Sequence, residues 1–137
     1  MVFWCLVIEN SIVKFRNFFK IQNIILFIRH SMSRHQLYLQ LRHDLLEERL
    51  LCNEEKTLAL SGVAIQAEYG DYDRETMGKN YFIPEHYYCG KMIKRMGVGN
   101  IRDNTADAHT RYTGLSQTQA EIEFIKVCNN AILLWCL

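Results

Sequence analysis

Leucine returns every fourth residue, at Leu37, Leu41 and Leu45, in the stretch SRHQLYLQLRHDLLEERL that begins at Ser33. Residues four apart lie one above the other on an α-helix, so this interval builds a single apolar stripe. Arg34, Arg42, Glu47 and Glu48 fall largely off the stripe, and the Ser33 hydroxyl is placed to cap the helix start. The rest of the chain holds one proline, Pro84, and seven glycines in 137 residues. That is little punctuation for a many-stranded fold. The expectation is a mainly all-α protein with one hydrophobic core, which this length can close.

Further helix signals follow in order. Asn53 can cap a second helix, with Glu54 and Glu55 in the first turn, where the helix dipole favours acids, and Gly70 as its stop. Its body, TLALSGVAIQAEY, mixes Leu58, Val63 and Ile65 with Ser61, Gly62, Ala64 and Ala67, so another helix is expected to approach closely. DYDRETMGKN then reads as a polar loop. In YFIPEHYY, Pro84 disfavours helix at Ile83 and predicts an ordered aromatic loop over the core. KMIKRM, residues 91–96, reads as one or two amphipathic turns closed by Gly97, and IRDNTADAHTRY as a helix ended by Gly114. Ser116 and Gln119 form an S-x-x-Q capping box before a last helix with Ala120, Phe124, Val127 and Cys128 on one face. Residues 12–28 alternate loosely and are rich in Ile, Phe and Val, which predicts a short strand-like lead-in.

Net charge is +1, which implies no bulk attraction to nucleic acid. The distribution is uneven: seven Lys or Arg against three acids from Ser11 to Leu50, three against seven from Leu51 to Gly90, and five against two from Lys91 to Tyr112. Solvated helix faces explain this most simply. Lys91, Lys94, Arg95 and Arg102 are the candidate patch for anionic lipid head groups, too few for more than weak, salt-sensitive binding. Cys5, Cys52, Cys89, Cys128 and Cys136 are an odd number without CxxC, the pattern of reduced thiols in a cytosolic protein. The five histidines show no zinc spacing, so neither a metal nor a cofactor is expected. No apolar run reaches the ~18 residues of a spanning helix.

One stretch invites a catalytic reading. Cys89 to Arg95 has the C-x5-R spacing of a cysteine phosphatase loop, whose chemistry needs a thiolate, a cradle of backbone amides and a phosphate-gripping arginine. Tyr88 and Met96 stand where histidine and a hydroxyl residue normally flank that loop, and the residues between read as helix. The spacing is therefore taken as coincidence, and no catalytic residue is expected.

Three segments together resemble the central lobe of the FERM domain, the module of band 4.1, ezrin, radixin and moesin and of several cytosolic tyrosine phosphatases. SRHQLYLQLRHDLLEERLLC (33–52) is similar to the family's T-R-x-x-x-x-L-Q-L-[KR]-x-D-[LIV]-L-x-G-x-L-x-C. AIQAEYGDYD (64–73) is similar to the end of the lobe's second helix, and GLSQTQAEIEFIKVC (114–128) to the opening of its last. Glu48 departs from the pattern, standing where the family usually has the glycine that closes the first helix, and this departure is expected to lengthen or fray that end. VKFRNFFKI (13–21) resembles the closing strand of the preceding ubiquitin-like lobe.

The resemblance implies an antiparallel helical bundle similar to acyl-CoA-binding proteins. Residues 1–32 are expected to hold a remnant of the ubiquitin-like lobe plus unrelated residues, 33–128 the central lobe, and 129–137 an apolar tail, NNAILLWCL, that departs from the family. It implies a non-catalytic adaptor that links plasma-membrane proteins to the cortical cytoskeleton, or targets an attached domain there. Partners would be cytoplasmic tails of membrane proteins, cytoskeletal components and a phosphoinositide surface; the location would be cytoplasm, cytoskeleton or the inner face of the plasma membrane. The alternatives are a small carrier of acyl-CoA or lipid, and a targeting module of a FERM-containing tyrosine phosphatase with no activity of its own.

Overall fold

The computed structural model describes residues 31–50 and 52–135, with side chains from 34 to 50 and from 52 to 128. The strand-like lead-in at 12–28 and residues 1–30 of the expected ubiquitin-like remnant lie outside these residues. Among the described residues the chain is all-helical: α1 (Ser31–Leu46), α2 (Glu54–Tyr69), a single turn α3 (Arg74–Met77), a 3-10 turn (Pro84–His86), α4 (Gly90–Met96), α5 (Val98–Thr110) and α6 (Gln117–Trp135). This is the helical bundle that the sequence pattern and the family resemblance predict.

The centre of the bundle is α2. It packs against α5 and α6, and α1 closes over α6. Residues Leu60 to Ala67 are buried without interruption, so this helix has no solvent stripe through its middle. Small side chains make that possible. A Cβ placed on Gly62 would stand 2.9 Å from the carbonyl carbon of Ala108 and 3.0 Å from the amide nitrogen of His109, both on α5. The close approach expected from the Ser, Gly and Ala content is therefore a backbone-to-backbone contact. Leu37, Tyr38, Leu41 and Leu45 of α1 enter the same core with Phe124, Ile125 and Cys128 of α6. Tyr38 meets Phe124 edge to face, with centroids 5.1 Å apart.

Helix ends follow the capping residues at most junctions. The Asn53 side chain accepts from the Lys56 amide at 2.8 Å. Ser116 and Gln119 cap reciprocally: the Gln119 amide donates to Ser116 Oγ at 3.3 Å and the Ser116 amide to Gln119 Oε1 at 3.0 Å. Gly97, at φ 82°, both closes α4 and opens α5.

Four details differ from the sequence reading. First, α1 begins at Ser31, so Ser33 sits inside the helix and does not cap it. Second, the 71–80 loop contains the turn α3, because Asp73 accepts from the Glu75 amide at 3.0 Å and from Thr76 Oγ1 at 2.8 Å. Third, α5 starts at Val98, directly after Gly97. Fourth, Glu48 neither lengthens nor frays α1. It adopts φ 59°, the left-handed position of a Schellman turn, with the Arg49 amide donating to the Asp44 carbonyl at 2.9 Å and the Glu48 amide to Leu45 at 3.4 Å. At the other end of the chain, α6 runs on through the apolar tail to Trp135.

Candidate functional site

Three groups of polar side chains invite a functional reading. The most buried centres on His109, which has no solvent exposure. Its Nε2 lies 2.8 Å from the Gly70 carbonyl, which can only accept, so Nε2 carries the proton. Nδ1 is then an acceptor, and Tyr81 donates its hydroxyl proton at 3.0 Å. Gln66 Oε1 lies 3.1 Å from His109 Nε2, while Gln66 Nε2 donates to Asp71 Oδ1 at 2.7 Å and to the Leu115 carbonyl at 2.9 Å. The Gly114 amide donates to the same Asp71 oxygen at 2.7 Å. Burial lowers the His109 pKa, whereas the Gly114 amide, followed by Gln66, holds the Asp71 carboxyl below its usual range. This network ties the end of α2 to α5 and to the turn before α6. Its donors face structural acceptors, so it is built as a clamp.

The second group surrounds Arg42. Its guanidinium stacks 4.7 Å from the Tyr87 ring centroid, donates to the His86 carbonyl at 2.9 Å and pairs with Glu68. Tyr87 also donates to Glu68. Burial, and then that hydrogen bond, push the Tyr87 pKa up, so its hydroxyl stays protonated. The assembly pins the aromatic loop onto α1 and α2. Phe82, Tyr87 and Tyr88 are buried beneath it, as the YFIPEHYY segment predicts.

The C-x5-R stretch does not form a phosphate cradle. Cys89 precedes α4, its carbonyl accepts from the Met92 and Ile93 amides at 3.1 Å each, and the intervening residues are helical. Arg95 points to Glu54, with Nε at 2.7 Å from Oε1. Cys52, Cys89 and Cys128 are free thiols, and burial raises the pKa of Cys52 and Cys128. Among the described residues, no group of three or more His, Cys, Asp or Glu side chains is placed to hold a metal ion.

The third group is basic. Lys91 lies on α4 with Nζ 3.2 Å from Glu48 Oε2, so it and Arg95 are both engaged by acids. Lys94 is exposed on the same helix and has no ion pair among the described residues. Arg102 is placed differently. It lies on α5 and lines an open cleft of about 530 Å³ between that helix and the 72–79 segment, together with Tyr72, Arg74, Lys79, Asp103 and Asp107. Lys91, Lys94 and Arg95 are not part of it. The Arg102 Nε is buried without a hydrogen-bond partner, a state that costs on the order of 1–3 kcal/mol. Across the cleft, Lys79 Nζ pairs with Asp103 Oδ1 at 3.4 Å. Asp103 and Asp107, one turn apart beside Arg102, were the only sequence signal for this surface. Nothing in the sequence placed Tyr72, Arg74 and Lys79 against them.

The family model for the FERM central domain matches residues 23–131. The chain belongs to the FERM central-domain family. Human tyrosine-protein phosphatase non-receptor type 13 is 41% identical over 122 residues, which cover 87% of this chain and 5% of that protein. Mouse FERM and PDZ domain-containing protein 2 is 42% identical over 101 residues, 73% of this chain and 7% of that protein. Human merlin is 24% identical over 101 residues, 72% of this chain and 17% of that protein. This FERM lobe thus spans at most 17% of the length of these three relatives. No helix of the described residues is long and apolar enough to cross a membrane.

Proposed function

We propose that this FERM central lobe is a non-catalytic adaptor segment, which links plasma-membrane proteins to the cortical cytoskeleton or targets an attached domain there. The observation that carries this reading is the family match over 23–131, and with it a bundle whose buried polar groups serve packing. Partners in this reading are cytoplasmic tails and cytoskeletal components, and its place is the cytoplasmic face of the cell cortex. An anionic-lipid contact in this reading rests on Lys94 more than on the acid-paired Lys91 and Arg95. Between Leu45, Leu60 and Tyr87 the core leaves a gap of about 10 Å³, the room of about one water and too small for an acyl chain.

The test is a fluorescent fusion of the whole chain in cultured animal cells. Enrichment at the cortex over the free fluorescent protein is expected, together with no turnover of a phosphotyrosine mimic by the purified chain. A distribution identical to the free fluorophore would overturn the adaptor reading. Turnover lost in Cys89→Ser would overturn the non-catalytic one.

A further inference from the structure

The cleft beside α5 has unmatched charges on both of its walls. Lys79 and Asp103 neutralise each other at 3.4 Å. Arg74, Arg102 and Asp107 line the same cleft and make no ion pair among the described residues. Arg102 is half-buried, lines the cleft and has no acidic partner among the described residues. A carboxylate is the acceptor that a guanidinium grips in bidentate geometry. A polyanionic head group fits poorly, because Asp107 would face it without a compensating cation. A ligand that presents an acid to Arg102 and a base to Asp107 matches both charges of the α5 wall.

Spacing narrows the ligand further. Arg102 and Asp107 are five residues apart on a helix, which separates their backbones by about 8–9 Å. In an extended peptide, residues two apart share a face and are about 7 Å apart. We propose that this cleft docks an extended peptide segment of a partner protein carrying an acidic residue and, two positions on, a basic one. Arg102 takes the acid, Asp107 takes the base, and Tyr72 and Arg74 line the opposite wall. The proposal rests on the adaptor reading and names the surface that reading lacks.

The experiment titrates the ¹⁵N-labelled full chain with a short capped peptide carrying Glu-Ala-Lys, and with matched peptides carrying Gln-Ala-Lys or Glu-Ala-Glu. The Glu-Ala-Lys peptide should shift the amides of Tyr72, Arg102 and Asp107 saturably. Each control peptide, and the Arg102→Met and Asp107→Asn variants, should bind at least tenfold more weakly, while Lys94→Gln binds as the parent does. Arg102→Met keeps the apolar stem and removes the open donor, so its thermal midpoint should not fall. Absence of shifts at the cleft, or equal binding of the Glu-Ala-Glu peptide, would overturn the proposal. So would cleft shifts seen with phosphoinositide vesicles and not with peptide. A negative titration alongside a cortical wild-type fusion removes the cleft alone; a positive titration with a uniformly distributed fusion removes the adaptor reading alone.

Discussion

Glu48 is the residue whose backbone runs against its side chain. At φ 59° a Cβ crowds the neighbouring carbonyl, which costs roughly 1–2 kcal/mol, whereas glycine meets no such clash. The turn persists because its two amide-to-carbonyl bonds close α1 and return the chain to the core at Leu50, which is buried. Its exposed ion pair with Lys91 offsets little of that strain. Glu48→Gly is therefore expected to stabilise the chain by about 0.5–1 kcal/mol, after the larger unfolded-state entropy of glycine is allowed for. A rise in the urea midpoint checks this; a fall would show that the Lys91 pair outweighs the backbone strain. The position was legible from the family pattern, but the outcome was not. Fraying the helix and straining one residue read alike in sequence, and only the hydrogen bonds to Asp44 and Leu45 separate them.

At the scale of elements, the α2–α5 contact decides how tightly the bundle closes. Alanine exceeds glycine in helix propensity by about 1 kcal/mol, so an isolated α2 would gain from Gly62→Ala. In the folded chain the new methyl would stand within 3.0 Å of α5 backbone atoms, and backbone cannot rotate aside as a side chain can. Overpacking of this kind costs about 1–3 kcal/mol or more, so a net loss of about 2 kcal/mol is expected. Urea unfolding of Gly62→Ala measures it, and a stabilised variant would refute the close approach. Helix positions were readable because caps are local: Asn53, Gly70 and the Ser116–Gln119 box act over a single turn. Ion pairs such as Arg95 with Glu54, or Lys91 with Glu48, join residues about forty positions apart, and no local pattern announces them.

At the scale of the whole molecule, pH acts through His109. The fold holds its imidazole neutral and burial lowers its pKa, while the unfolded chain takes up a proton near the usual value of about 6.5. Between those two values the unfolded state binds more protons, so stability rises with pH there. The contribution is fully present above about pH 6.5 and is lost progressively as the pH falls below it. A urea midpoint that declines from neutral toward mildly acid pH, with a shallower decline in His109→Gln, checks the assignment; a midpoint that rises on acidification would overturn it. By itself the sequence determined the helical class, most helix boundaries, the aromatic loop and the family, because periodicity, capping and motif order are properties of neighbouring residues. Only the tertiary structure decided how the four basic residues are placed. Three lie on α4, two of them held by acids, and Arg102 faces a cleft whose other wall is the 72–79 segment. Charge in a sequence is a count, whereas a binding surface depends on which charges the packing of helices leaves unmatched.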